Sequence, residues 1–109
     1  MTPHARLTLL RSLDEAALVA QIIAEAQRAG WLAHHDRPAR RKDGAYRTHI
    51  AGDAGFPDLV LAKAGRVLFL EVKAHKWRWQ PGQEAWLAAT GGRRVGPDDL
   101  DALIAELWA

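Results

Sequence analysis

No cysteine occurs in these 109 residues. Disulfides and thiolate metal sites are therefore excluded, and a bound metal has to be held by oxygen or imidazole. Also missing is any apolar run near the ~20 residues that a membrane helix needs, so no membrane partner is expected. The first residues lack the charged-then-apolar layout of a signal peptide. An intracellular, cytoplasmic protein is the expectation. Internal repeats and low-complexity tracts are absent as well.

What is present has the profile of a globular chain, with 49% apolar and 26% charged residues. The length allows a single domain over 1–109 with a modest core. Charge is unevenly spread. From Asp98 onward there are four acids (Asp98, Asp99, Asp101, Glu106) and no Lys or Arg, so the first 97 residues carry 15 basic against 9 acidic side chains. Within 34–49, Arg37, Arg40, Arg41, Lys42 and Arg47 face only Asp36 and Asp43. Such a segment suits a polyanion, and equally a solvated loop.

Ser12 and Glu15 have the spacing of a capping box, which predicts a helix from near Leu13. Leu18, Val19, Ile22, Ile23 and Ala26 give it one apolar face, and Gly30 is placed to end it. A short strand is expected from Trp31 to His35. Residues 36–55 show no periodicity and predict a long loop. Asp58–Ala62 and Val67–Lys73 then read as two strands joined by a turn at Lys63–Arg66. Both are almost continuously apolar, which predicts that both faces are covered. Pro81 suits the first position of a helix to about Ala89, closed by Gly91 and Gly92. A last amphipathic helix is expected over 97–108, with acids in its first turn. The expected fold is α/β (α+β): a small mixed sheet with a central β-hairpin, flanked by helices.

The chemistry lies on that hairpin. A two-residue loop at Ala64-Gly65 pairs Leu59 with Leu70, Val60 with Phe69 and Leu61 with Leu68. Asp58 then faces Glu71, and Lys73 projects from the same side two residues on. Two carboxylates so close repel one another, and burial aggravates this. A divalent cation removes the conflict; Mg²⁺ takes oxygen ligands and is commonly held by one or two carboxylates. The competing account is a structural ion pair of Glu71 or Asp58 with Lys73. Glu15 has two accounts also. It is the third residue of the capping box, yet it lies in line with Leu18, Ile22 and Ala26 and so points toward the sheet. His35, at the end of the first strand, is able to contact phosphate or metal. Arg37, Arg40, Arg41, Arg47, Lys76 and Arg78 are candidates for phosphate contacts. Trp77 and Trp79 flank Arg78 and are suited either to stacking on bases or to packing.

Three stretches carry a resemblance: Gly55-Phe56-Pro57-Asp58-Leu59-Val60-Leu61, Gly65-Arg66-Val67-Leu68-Phe69-Leu70-Glu71-Val72-Lys73, and Gln80-Pro81-Gly82-Gln83-Glu84-Ala85-Trp86-Leu87. Together they resemble the virus-type replication–repair nuclease (VRR-NUC) domain of the PD-(D/E)xK nuclease superfamily, over roughly residues 13–90. The helix ending at Gly30-Trp31, with His34, His35 and the Arg-rich segment, is similar to stand-alone phage and prophage members. The resemblance implies a restriction-endonuclease-like core and a Mg²⁺- or Mn²⁺-dependent DNA endonuclease. In it Asp58 and Glu71 are metal-binding acids, Lys73 is the catalytic lysine, and Val72 contributes a metal-facing carbonyl. Gln83 lies beside the active site, and Glu15 is an acid joining the metal. Branched or flapped DNA as substrate and a homodimer are further implications. The family's usual strand after the Gln-bearing helix has almost no room in Ala89–Gly96, so an edge strand is expected to be shortened or lost. A nucleic-acid-binding module of the same fold without turnover is the alternative function.

Overall fold

The structure is a computed structural model that describes residues 1–36 and 51–109, together with the backbone pairing of 39–40 and 46–47. The elements in chain order are α1 (Pro3–Arg11), α2 (Glu15–Arg28), β1 (Leu32–His35), β2 (Ala39–Arg40), β3 (Tyr46–Arg47), β4 (Leu59–Lys63), β5 (Arg66–Val72), α3 (Gln83–Thr90), β6 (Arg93–Val95), a 3₁₀ turn (Pro97–Asp99) and α4 (Leu100–Trp108). Four strands form a mixed sheet in the order β1-β4-β5-β6, with β6 parallel to β5 and the other neighbours antiparallel. The pair β2-β3 stands apart as a two-stranded ribbon within the segment expected to be loop.

Period two along the strands sorts the sheet's faces. Leu59, Leu61, Leu70 and Val72 are fully buried and join Leu18 and Ile22 of α2 with Leu100, Leu103 and Leu107 of α4. Burial of such side chains supplies roughly 1.5–3 kcal/mol each, which makes this layer the main source of stability. The opposite face is less covered than the apolar strands predict. Val60, Ala62 and Phe69 are only half-buried, and Val67 is exposed. On that side α3 packs against β5, with Gly92 close under Leu87 and Phe69.

The central hairpin has the expected register: Leu59 pairs with Leu70, Val60 with Phe69 and Leu61 with Leu68. Its turn has Ala64 at φ 49° and Gly65 at φ 82°. Two successive positive φ values are what a two-residue primed turn requires, because its twist matches that of the strands.

Several helix ends differ from expectation. The box over Ser12 and Glu15 does not form. Asp14 is the N-cap of α2, its carboxylate accepting from the Ala17 amide at 2.8 Å, while the Ser12 hydroxyl donates to Leu9 O at the end of α1. Both residue types compete for caps, and Asp14 wins because α1 already uses Ser12. Glu15 thus opens α2 as its first residue, released from capping. The C-terminus follows expectation: Trp31 N–H reaches Ala26 O and Gly30 N–H reaches Gln27 O, the two bonds of a Schellman motif.

Helix α1 carried little sequence signal because only Leu10 of it is buried. Thr2 as cap and Pro3 as first residue start it, and the ion pairs Arg6–Asp101 (2.7 Å) and Arg11–Asp98 (2.8 Å) tie it to the C-terminal segment. Helix α3 begins at Gln83 rather than Pro81, because Gly82 takes φ 87° and cannot continue a helix. The shortened edge strand is present as the three residues of β6. Among the described residues, no helix is long and apolar enough to cross a membrane.

The cap assignment is open to test. Asp14→Ala should cost about 1 kcal/mol, the usual worth of an N-cap, and Ser12→Ala markedly less. Urea midpoints of the two variants check this; a larger loss for Ser12→Ala would restore the capping box.

Candidate metal centre

Where β4 begins and β5 ends, the backbone turns side chains from three elements into one cleft. Glu15 comes from the first turn of α2, Asp58 from the residue before β4, and Glu71 from β5. One carboxylate oxygen of each lies within 4.8 Å of the others. Asp58 is held one step beyond the hairpin ladder, since its Oδ2 accepts the Val72 N–H at 3.1 Å. This bond pins the carboxylate opposite Glu71, as the pairing implied. Glu71 is buried at 1% exposure, Asp58 is half-buried and Glu15 is exposed.

Lys73 is buried too, at 6%. Its Nζ lies 3.6 Å from Glu71 Oε2, too long for a hydrogen bond, and instead donates to Gln83 Oε1 at 2.7 Å. Gln83 Oε1 also accepts from the Gln80 N–H at 2.9 Å, and Gln83 Nε2 donates to Glu71 Oε2 at 3.1 Å. The amide therefore sits between the ammonium and the carboxylate and orients both.

One atom is left over. Glu71 Oε1 is buried without a hydrogen-bond partner, the single such side-chain oxygen among the described residues. An orphaned buried carboxylate oxygen is costly. A structural salt bridge does not account for it, because a buried ion pair is worthwhile only when its remaining lone pairs are satisfied. A cation facing the three acids would satisfy it. Oxygen-only donors of this kind suit a hard divalent ion, so the residues present fit one.

The electrostatics agree. Burial first, then Asp58, which can accept a proton that Glu71 retains and whose charge opposes a second negative charge, push the Glu71 carboxyl up to about 8, with Lys73 opposing. Glu15 is raised as well, by burial of its carboxyl group and then by Asp58, although the residue as a whole is exposed. Without a cation, the pocket retains protons where free carboxylates would have lost them.

A pair of glycines sets the distance across the cleft. A Cβ on Gly55 would lie 2.6 Å from Gln83 N, and one on Gly82 would lie 2.9 Å from Ala54 C and closer still to its oxygen. The chain entering Asp58 thus runs directly against the chain entering Gln83. Phe56 adds an edge-to-face contact with Trp86 at 5.0 Å, and Trp86 Nε1 donates to Asp53 O. These links were not singled out as functional from sequence. Their only signal was a glycine ahead of Pro57-Asp58 and another ahead of Gln83.

The cleft has a volume of about 500 Å³. Glu15, Asp58, Glu71, Lys73 and Gln83 line it together with Lys76 and Arg78, so seven of the expected site residues meet there. Val72 lies between Glu71 and Lys73, its side chain in the core and its amide on Asp58. His35 does not line the cleft: it is half-buried, pairs with Leu59 across β1–β4 and so belongs to the other face of the sheet. Its neighbour His34 bonds Asp36 at 2.8 Å. Arg37 and Arg41, and the side chains of Arg40 and Arg47, lie outside the described residues.

Comparison with protein-family models, with curated proteins and with solved structures found no match.

Two outcomes follow. Folded Glu71 binds its proton more tightly than unfolded Glu71, so its stabilising contribution is complete below about pH 4.5 and is lost as pH rises through about 8. In chelator, Glu71→Gln should therefore gain stability over the parent progressively across that window, read from urea midpoints. A gap that narrows with pH would remove the protonated carboxyl. Gly82→Ala, strained at positive φ and blocked by Ala54, should lose more than about 1 kcal/mol; an unchanged midpoint would disprove the close approach.

Proposed function

We propose that this chain is a Mg²⁺- or Mn²⁺-dependent endonuclease that hydrolyses phosphodiester bonds in DNA, a VRR-NUC-type member of the PD-(D/E)xK superfamily with a restriction-endonuclease-like core. The observation that carries the reading is the partnerless oxygen of buried Glu71, a residue whose carboxylate comes within 4.8 Å of those of Asp58 and Glu15, with Lys73 alongside. Resemblance in the Pro57-Asp58 and Glu71-Val72-Lys73 stretches supports it.

In this reading Asp58, Glu71, Glu15 and the Val72 carbonyl hold the cation. A divalent ion there supplies Lewis acidity toward a phosphoryl oxygen and lowers the pKa of water. Lys73, beside Glu71, donates toward the attacking water or toward the charge that grows on phosphorus. Gln83 keeps the ammonium aimed by taking one of its protons and by holding Glu71 through its own N–H. Lys76 and Arg78 at the rim position the backbone phosphates, with Arg37, Arg40, Arg41 and Arg47 as further contacts. Branched or flapped DNA is the proposed substrate and a homodimer the proposed assembly, both on the family resemblance alone. The setting is the cell interior.

A second reading, a DNA-binding module without turnover, draws on the three-residue length of β6, which leaves β5 with a short neighbour beside Glu71.

Mn²⁺ titration and cleavage of flap, junction, single-stranded and linear DNA separate these readings. Wild type should bind Mn²⁺ and cut; Glu71→Gln should lose the metal. Lys73→Ala should keep the metal and lose cleavage by roughly 10²–10³-fold, the usual loss for one donor to developing charge. Mn²⁺ and DNA binding without cleavage of any substrate would favour the module. No Mn²⁺ binding that depends on Glu71 would end the enzyme reading.

A further inference from the structure

The segment between β5 and α3 forms the cleft's rim, where Lys76, Trp77 and Arg78 stand in a row beside the acids. Trp77 is 41% exposed there. Trp79 packs against it edge-to-face with centroids 5.0 Å apart, and the Arg94 guanidinium lies 4.6 Å over it. Trp79 in turn has Lys73 Nζ 6.0 Å from its own ring centre. An indole braced on two sides and still open to a polar cleft is poorly explained by packing. Phe56 and Trp108 are at least as exposed, at 42% and 54%, but of these three rings only Trp77 lines the acidic cleft. Arg6, Arg11, Arg28, Arg66 and Arg93 are all paired with acids. Neither Lys76 nor Arg78 is in such a pair among the described residues. Lys76 and Arg78 differ in this from Arg94, which has Asp99 at 3.7 Å.

A packed yet exposed aromatic surface flanked by two cations with no acid partner among the described residues is the pattern that takes an unstacked base with its phosphates. The cleft's volume has the scale of a small-molecule site rather than of a duplex groove, and Glu71 is set deep in it. A base inside an intact helix presents only its edge, so it has no face to offer Trp77.

We propose that Trp77, with Lys76 and Arg78, forms a subsite for one unpaired nucleotide of single-stranded DNA, the base stacked on the indole and its phosphates on the two cations. This rests on the reading of the cleft as a phosphodiester site. It adds that the strand enters unpaired, and that Trp77 selects it without regard to sequence.

The test is binding, in Ca²⁺ to hold back turnover, of a fluorescent oligothymidylate, an abasic strand of equal length and charge, and a duplex. Wild type should prefer the oligothymidylate to both others. Trp77→Ala should weaken the oligothymidylate by roughly 5- to 150-fold, the range for losing one stacked base, and should no longer distinguish it from the abasic strand. Trp77→Phe should restore most of the preference. Circular dichroism shows whether each variant is folded, and Trp77→Phe covers the case in which the alanine variant is not. Equal wild-type binding of the oligothymidylate and the abasic strand, or of duplex and single strand, would overturn the subsite while leaving a nucleic-acid site standing. Binding of none of the three by a protein that does take up Mn²⁺ would overturn both.

Discussion

Two carboxyl groups side by side, one buried and one half-buried, resist being charged together unless something positive joins them. Around Asp58 and Glu71 the rest of this fold is arranged. Lys73 provides part of the compensation, yet its bond goes to Gln83 and it stands 3.6 Å from Glu71. The remainder is met by a proton, in line with the rise of Glu71 to about 8; with the group charged, it is an oxygen without a donor. A core built only for stability would replace such a group with an apolar one at little cost. Retaining it is a sign of use, because perturbed acids cluster where chemistry is done.

The apolar layer exists to hold that conflict still. Leu59 and Leu70 bury the hairpin against α2 and α4 one residue from the acids, so Glu71 cannot retreat to water without unzipping a central strand pair. From the same layer α2 runs back to the cleft and delivers Glu15 at its first residue. On the other face, the approach of Gly55 to Gly82 fixes where α3 starts. The three acids thus arrive from three elements, but each is one covalent step from a buried or interlocked backbone. Such support keeps a constellation within the fraction of an ångström that catalysis requires.

How much of this was legible beforehand depends on whether a local rule had a rival. The hairpin did not: a two-residue loop at Ala64-Gly65 admits one register, and the register alone sets Asp58 against Glu71. Capping did have a rival, since Ser12 and Asp14 are both competent and only the presence of α1 decides between them. Helix α1 itself buries one leucine, so periodicity had nothing to detect. Pro81 misled because the constraint on Gly82 is tertiary; it comes from Ala54, twenty-eight positions upstream. His35 lay near the right end of the sheet but on the wrong face, which its strand pairing with Leu59 reveals and its position in sequence does not. The orphaned oxygen of Glu71 is a property of packing and has no sequence signature.

Gln83 shows why the residue type at the cleft's hinge matters as much as its place. Its Oε1 receives two donors, Lys73 Nζ and the Gln80 amide, and its Nε2 gives to Glu71 Oε2. A glutamate there would accept from Lys73 more strongly, but it would have no proton for Glu71 and would set a further negative charge beside three acids. A lysine or arginine would satisfy Glu71 and repel Lys73, and it would supply the positive charge that the acids otherwise need from outside. A neutral amide alone links an ammonium to a carboxylate while adding no charge to either side. It also holds them 3.6 Å apart, as an ion pair without a direct hydrogen bond, so that the amide and not the ammonium occupies Glu71 Oε2.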